Sequence, residues 1–328
     1  MKTKYKIKFD RVGDGIYTIE SYYMDREGFA CCYLLEDNGE AAIIETSTNY
    51  AVPYILGTLE NLSIKREQVK YVILTHIHLD HAGGTGELMR HLPEAQLIVH
   101  PRGKKHMIEP EKLIESVKKV YGEEQYIKLY GDILPVPKAS VITANDGDTF
   151  FLGNRELAFY DTPGHAKHHN IIHDKKTGSI FSGDNFGIGY PRMKWNNGRF
   201  IFPSTSPTQF EPDKALETYN KIISLNPSRI LLTHFSILED IAETFTQLSF
   251  WINKIKEITA KRYGEGYRNE ELVRVLADDL WNLYNEKVMG IRGTALTAEE
   301  KEWLKLDVDL NAQGMAYSVD TPSSDPGK

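Results

Sequence analysis

Directly after the apolar run Tyr71-Val-Ile-Leu74 the chain reads Thr75-His76-Ile77-His78-Leu79-Asp80-His81. Four metal-ligand side-chain types fall within six positions there. A strand ending in a turn places His76 and His78 on one side of the following loop. Asp80 and His81 then reach a second position about 3.5–4 Å away, the spacing of paired metals. Further donors follow three other β-rich runs. Asp161-Thr-Pro-Gly-His165 follows ELAFY, Gly183-Asp184 follows SIFS, and Thr233-His234 follows RILL. Each therefore sits at the C-terminal end of a strand, where open α/β sheets collect their ligands. Imidazole and carboxylate donors suit zinc, and also iron or manganese.

The elements that carry these donors are readable from pattern. Gly15 to Glu20, Cys31 to Leu35 and Ala41 to Glu45 are β-rich, and Asp37-Asn38-Gly39 signals a hairpin. Leu59 to Leu62 and the stretch from Gly86 to His91 read as helical. Tyr71 to Leu74, Leu97 to Val99, Glu156 to Tyr160, Ser179 to Ser182 and Arg229 to Leu232 read as strands. This mixture predicts an α/β sandwich. The expected division is a catalytic domain over 1–238, with a lid-like insertion at about 103–140 that includes a helix from Glu111 to Tyr121. A helical extension over 239–328 is expected to pack on that domain. In the extension Ile241, Phe245, Leu248, Ile252 and Ile255 recur at helical spacing, as do Leu272, Leu276, Leu280 and Leu283. Thr297 and Glu300 form a capping box that opens a third helix. The last nine residues, DTPSSDPGK, read as a frayed tail.

Composition narrows the function class. The 328 residues carry 39 Lys+Arg against 46 Asp+Glu, a net charge of −7. Neutralising phosphates needs a basic face, so nucleic acid is not an expected partner. No apolar run reaches the roughly 20 residues of a membrane span, and the start lacks the apolar core of a secretory signal. The two cysteines, Cys31 and Cys32, are adjacent on a predicted strand and point to opposite faces. Neither a disulfide scaffold nor a thiolate metal site organises this chain. A cytoplasmic protein acting on a small molecule is expected.

The combined pattern, HxHxDH, then Gly-His, Gly-Asp and Thr-His, resembles the metallo-β-lactamase-fold hydrolase superfamily over roughly residues 10–238. Its hydroxyacylglutathione hydrolase-like branch is the nearest broad group. The resemblance implies a four-layer αββα sandwich with a binuclear site at one edge and the helical extension beyond it. His76, His78 and His165 would hold the first metal, Asp80, His81 and His234 the second, and Asp184 would bridge both. The family's strand ending in Asp-Thr-Gly appears as Ile44-Glu45-Thr46-Ser47, which gives Glu45 a supporting role behind the ligands. Two divalent ions, zinc first and iron or manganese next, would bring a bridging water's pKa toward neutrality and polarise a carbonyl or phosphoryl oxygen. Asp80 would orient the resulting hydroxide and handle its proton. The leading function is hydrolysis of a small ester, thioester or lactone. The alternatives are a diiron redox or oxygen-binding protein of the same fold, and a phosphodiesterase or nuclease. His78 stands where flavodiiron relatives commonly carry glutamate, which favours zinc.

Other residues are weighed beside these. Of His168 and His169, one is expected on a strand or behind the ligands and the other in solvent. His91, His100 and His173 read as ordinary. Tyr190 and His106 are the candidate substrate contacts, and Arg192 lies beside Tyr190. Trp281 and Tyr284 read as core. The insertion around Lys104 to Pro137 and the C-terminal helices are expected to wall the metal site. Their alternative use is formation of a homodimer.

Overall fold

The structure is a computed structural model that describes residues 3–205 and 207–320. The polar tail from residue 321 on lies outside the described residues. The chain divides into two compact units. The first comprises the residues up to Asp161 with His168–Gly183 and Pro227–Glu239. The second comprises Thr162–Lys167, Asp184–Asn226 and the chain from Asp240 on.

The first unit contains two mixed sheets. One runs in chain order through β1 (Phe9–Gly13), β2 (Ile16–Glu20), β3 (Cys31–Asp37), β4 (Glu40–Ile44), β5 (Val69–Ile73), β6 (Gln96–Val99) and β7 (Val141–Thr143). Its first four strands are antiparallel neighbours, and β4 to β7 are parallel. Asn38 and Gly39 at the β3–β4 turn both have positive φ, 49° and 83°, as the hairpin signal demands. The second sheet holds β8 (Thr149–Leu152), β9 (Arg155–Asp161), β10 (Asn170–Asp174) and β11 (Ser179–Gly183). After a short ribbon in the second unit, β12 (Lys194–Trp195) with β13 (Gly198–Arg199), it is completed by β14 (Arg229–Leu232) and β15 (Ser236–Leu238). β14 lies parallel to β11.

Alternation along the strands builds the sandwich. Cys31, Tyr33 and Leu35 on β3 join Ile44, Ile73, Phe159, Ile172 and Leu231 in the core between the sheets. Cys32 and Leu34 point the other way and pack with Val52, Ile55 and Leu59 of α1 (Val52–Asn61). The two thiols are thus free, buried and on opposite faces, as expected. The sheets are also tied by polar bonds. The Tyr33 hydroxyl donates to the Leu232 carbonyl at 2.5 Å, and the Cys31 N–H donates to the Thr233 carbonyl at 2.9 Å. Behind β5 come two short helices, α2 (Leu79–Ala82) and α3 (Thr85–Met89). The insertion between β6 and β7 folds as α4 (Lys104–Ile108), α5 (Glu111–Tyr121) and α6 (Glu123–Tyr130). The Asn49 amide donates to the Tyr130 carbonyl at 3.2 Å, and the Val136 N–H to the Met107 carbonyl at 2.8 Å. These bonds dock the insertion within its unit.

The second unit is largely helical: α7 (Pro212–Ser224), α8 (Ile241–Gly264), α9 (Asn269–Arg292) and α10 (Ala298–Asp320). Leu248, Ile252 and Ile255, then Leu272, Leu276 and Leu280, are buried at the predicted spacing. On the next turn of α9 Tyr284 takes the core position, while Leu283 and Trp281 are only partly covered. Phe200, Trp251 and Tyr284 meet edge to face, with ring centroids 5.0–6.1 Å apart. The capping box is present at the start of α10: the Thr297 N–H donates to Glu300 at 2.8 Å, and the Glu300 N–H donates to the Thr297 hydroxyl at 3.2 Å. No helix among the described residues is long and apolar enough to cross a membrane.

Candidate metal centre

β5 ends at Ile73, and Thr75 to His78 form the loop that enters α2. This loop is stitched to the segment after β4. Glu45 and Ser47 there have positive φ, 64° and 50°. The Thr46 N–H donates to the His81 carbonyl at 2.8 Å, and the Gly84 N–H to the Ser47 carbonyl at 2.9 Å. A side chain on Gly84 would bring a Cβ within 2.8 Å of the Thr46 and Thr48 carbonyl oxygens, so only glycine permits this approach. Gly183 at the end of β11 is constrained likewise. Its φ is +51°, and a Cβ would lie 2.5 Å from the Thr75 hydroxyl.

Within the first unit Asp80, His81 and His234 present ligand atoms that all lie within 4.8 Å of one another. His234 Nε2 is 3.2 Å and His81 Nε2 is 3.6 Å from Asp80 Oδ2. A tetrahedral cation with donors at about 2.0–2.1 Å has edges of about 3.3 Å, so this donor set fits one. The ring tautomers agree. His234 Nδ1 donates to the Phe29 carbonyl at 3.1 Å, and His81 Nδ1 to the Glu45 carboxylate at 2.8 Å. Each ring therefore turns its Nε2 lone pair toward Asp80. Both histidines are buried, whereas the Asp80 side chain is 23% exposed and gives the triad its open side. On the same loop His76 Nε2 faces His78 Nδ1 at 2.9 Å, and His76 Nδ1 faces the Thr75 hydroxyl at 3.0 Å.

Within the second unit His165 and Asp184 are neighbours, with Nε2 3.5 Å from Oδ2. His165 Nδ1 donates to the Ser204 carbonyl at 3.0 Å, which again leaves Nε2 as the ligand atom. The Ser204 hydroxyl donates to Asp184 Oδ2 at 3.0 Å, and the His165 N–H donates to the Asn185 side chain at 3.3 Å. Sequence spacing gave no sign of Ser204, which lies in an irregular loop. Asn185 could have been found as the immediate neighbour of Asp184.

Glu45 has the supporting contacts expected of it. Besides His81, its Oε1 accepts the Thr75 N–H at 2.7 Å. His168 and His169 depart from expectation, because both are buried and neither is in solvent. The Asn170 N–H donates to the Thr75 carbonyl at 2.7 Å and draws this segment onto the histidine loop. The His169 ring stacks on His76 at 4.8 Å, and His168 meets His78 edge-on at 5.4 Å. Tyr190 is fully buried, and its hydroxyl donates to Asp307 at 3.0 Å. His106 lies half-buried on α4, and burial together with Lys105 and Lys112 holds its pKa below the usual histidine value. His91 pairs with Glu87 at 3.2 Å and His100 with Asp161 at 3.3 Å.

Aromatic residues that pattern reading did not single out flank the triad. Phe29 meets His234 edge-on at 6.1 Å and Tyr23 at 5.9 Å. The Tyr23 hydroxyl lies 3.1 Å from that of Tyr130 on α6. Burial first, and then neighbouring phenols and the Asp80 carboxylate, push the Tyr130 phenol well above its ordinary pKa. The insertion thus brings a protonated phenol into the field of Asp80.

The family model for the metallo-beta-lactamase superfamily matches residues 25–234. Over 173 residues the chain is 30% identical to a metallo-beta-lactamase fold-containing protein of Sulfurisphaera tokodaii. That match takes in 51% of this chain and 61% of the relative. Over 185 residues it is 24% identical to a human acyl-coenzyme A thioesterase, covering 53% of this chain and 64% of the relative. The chain thus spans slightly under two thirds of these two relatives. A hydroxyacylglutathione hydrolase of Erwinia tasmaniensis is 23% identical over 229 residues, 70% of this chain and 72% of that protein. The fold superposes on the crystal structure of an archaeal metallo-beta-lactamase superfamily protein from Sulfolobus tokodaii with a TM-score of 0.64. That superposition covers 92% of this chain and 98% of the other, at 21% identity. With the family match extending from Asp25 to His234, this chain belongs to the metallo-beta-lactamase superfamily.

Proposed function

We propose that this protein is a metal-dependent hydrolase of a small ester, thioester or lactone. His76, His78 and His165 hold one divalent cation, Asp80, His81 and His234 hold a second, and Asp184 serves both. The observation that carries this reading is the Asp80–His81–His234 triad, whose donor spacing and tautomers suit a tetrahedral cation. When bound, the cations lower the pKa of a coordinated water and polarise the substrate oxygen. Asp80, the open member of the triad, orients the attacking water and takes up its proton. Glu45, Phe29 and Ser204 hold the imidazoles in the tautomers that present their ligand nitrogens.

Zinc is the first choice of metal, because three imidazoles at one site and two at the other favour it and His78 is not a carboxylate. Iron or manganese is next. Thioesters head the list of substrates, since one relative is named as an acyl-coenzyme A thioesterase. The buried, unoxidised Cys31 and Cys32 suit a cytoplasmic location. The partner is a small molecule rather than nucleic acid.

The test is elemental analysis of protein purified without added metal, followed by a panel of esters, thioesters, lactones and phosphodiesters. Two metals per chain and turnover confined to the acyl substrates are expected. Failure to bind metal after reconstitution with zinc, iron or manganese overturns the reading. A diiron site with oxygen-dependent spectra and no hydrolysis replaces it with the redox alternative.

A further inference from the structure

Helix α10 contributes one buried amide to the segment that holds His165 and Asp184. Asn311 is 3% exposed, yet both ends of its side chain are bonded. Its Oδ1 accepts the Thr205 N–H at 2.8 Å and lies 3.0 Å from the Thr205 hydroxyl. Its Nδ2 donates to the Pro203 carbonyl and to the Tyr284 hydroxyl, each at 3.0 Å. The Asn311 carbonyl also accepts from the Thr205 hydroxyl at 2.9 Å. One side chain therefore grips the residues on both sides of Ser204. Ser204 is the residue whose carbonyl fixes His165 Nδ1 and whose hydroxyl meets Asp184 Oδ2.

The surroundings argue against a packing role alone. Leu304, Val308, Ala312 and Met315 on the same helix are buried and apolar. A buried amide carries a desolvation cost that an apolar side chain of similar size would not, and its bonds only offset that cost. What the amide adds is direction: it sets where the Ser204 carbonyl and hydroxyl point.

We propose that Asn311 is a positioning residue for the metal centre, acting through Ser204 on His165 and Asp184. This rests on the ligand assignment proposed above. It makes the C-terminal helix a determinant of metal affinity chiefly at the site that includes His165, with a smaller effect at the other through the shared Asp184. Supporting groups of this kind are commonly worth about 10–100-fold in metal affinity.

The test is titration of the metal-free full chain with Zn²⁺ by calorimetry and with Co²⁺ by visible absorption. Wild type is expected to take up two equivalents. Asn311→Ala should weaken one equivalent by about 10–100-fold and change its Co²⁺ spectrum, while the other equivalent, which shares only Asp184, weakens less. Asn311→Asp keeps the acceptor for the Thr205 N–H and should fall between the two. Ser204→Ala removes the hydroxyl bond to Asp184, which serves both cations, and should weaken both equivalents. Asn253→Ala, an exposed amide on α8, is the control and should match wild type. A folded Asn311→Ala protein with two wild-type equivalents overturns the proposal. If Asn311→Ala does not fold, Asn311→Asp and Ser204→Ala decide, and wild-type binding by both overturns it. Uniform weakening of both equivalents by Asn311→Ala also overturns it, because that is the mark of general destabilisation. Absence of binding by wild type overturns the ligand assignment itself, and this proposal with it.

Discussion

Glu45 Oε2 lies 2.8 Å from His81 Nδ1, and the same carboxylate reaches the Thr75 N–H through its other oxygen at 2.7 Å. One buried carboxylate thus anchors both ends of the histidine-bearing loop while turning the His81 Nε2 toward Asp80. Glu45→Gln keeps only one of the two acceptor oxygens, and Glu45→Asp falls a methylene short. Each is expected to lower metal affinity by about 10–100-fold, measured by competition with a chromophoric chelator. Unchanged affinity in both would remove Glu45 from the site.

Asp80→Ala takes away a ligand and the proton acceptor together. The expected loss in kcat is at least about 100-fold, accompanied by loss of metal. His91→Ala, whose ring pairs with Glu87, should retain wild-type rates and metal content. Near-normal kcat with full metal in the Asp80 variant contradicts its role.

Glu20 makes stability depend on pH. Its carboxylate is buried and accepts the Tyr22 and Gly28 N–H groups at 2.9 and 2.8 Å. Burial outweighs those bonds and raises its pKa from 4.5 to about 7. The folded protein therefore holds a proton that the unfolded chain has released. This contribution is fully present below about pH 4.5 and is lost as pH rises through 7. Urea midpoints should reveal that component as a fall between pH 5 and 8 that Glu20→Gln flattens. Equal slopes in the two proteins would show that Glu20 does not titrate in this window.

Tyr33→Phe deletes the hydrogen bond to the Leu232 carbonyl that crosses between the sheets, two residues before His234. A cost of about 1–3 kcal/mol is expected from denaturant unfolding, because the carbonyl is buried. A variant as stable as wild type would show that this bond contributes nothing net.

The candidate ligand residues were legible because they fall at strand ends, four of them within six positions. The insertion helix from Glu111 to Tyr121 and the Thr297–Glu300 capping box were legible from local pattern. What was not legible depends on contacts far apart in sequence. Tyr190 reads as a candidate substrate contact until the fold buries it and supplies Asp307 as its partner. One of His168 and His169 looks solvated until the Asn170–Thr75 bond draws both inward. Ser204 and Asn311 lie in no motif, and only the fold joins Ser204 to His165 and Asp184.

The chain passes between its two units after Asp161, Lys167, Gly183, Asn226 and Glu239. Dissection and recombination of the gene are therefore constrained. A stop codon at 240 would strip three helices yet keep Asp184–Asn226, stranding Thr205 without the amide that grips it. His165 and Asp184 are encoded in stretches of one unit, and the other five ligand positions in stretches of its counterpart. Residues 1–239 carry all seven candidate positions and the whole first unit yet leave the second unit incomplete, so only the uninterrupted gene supplies both units intact.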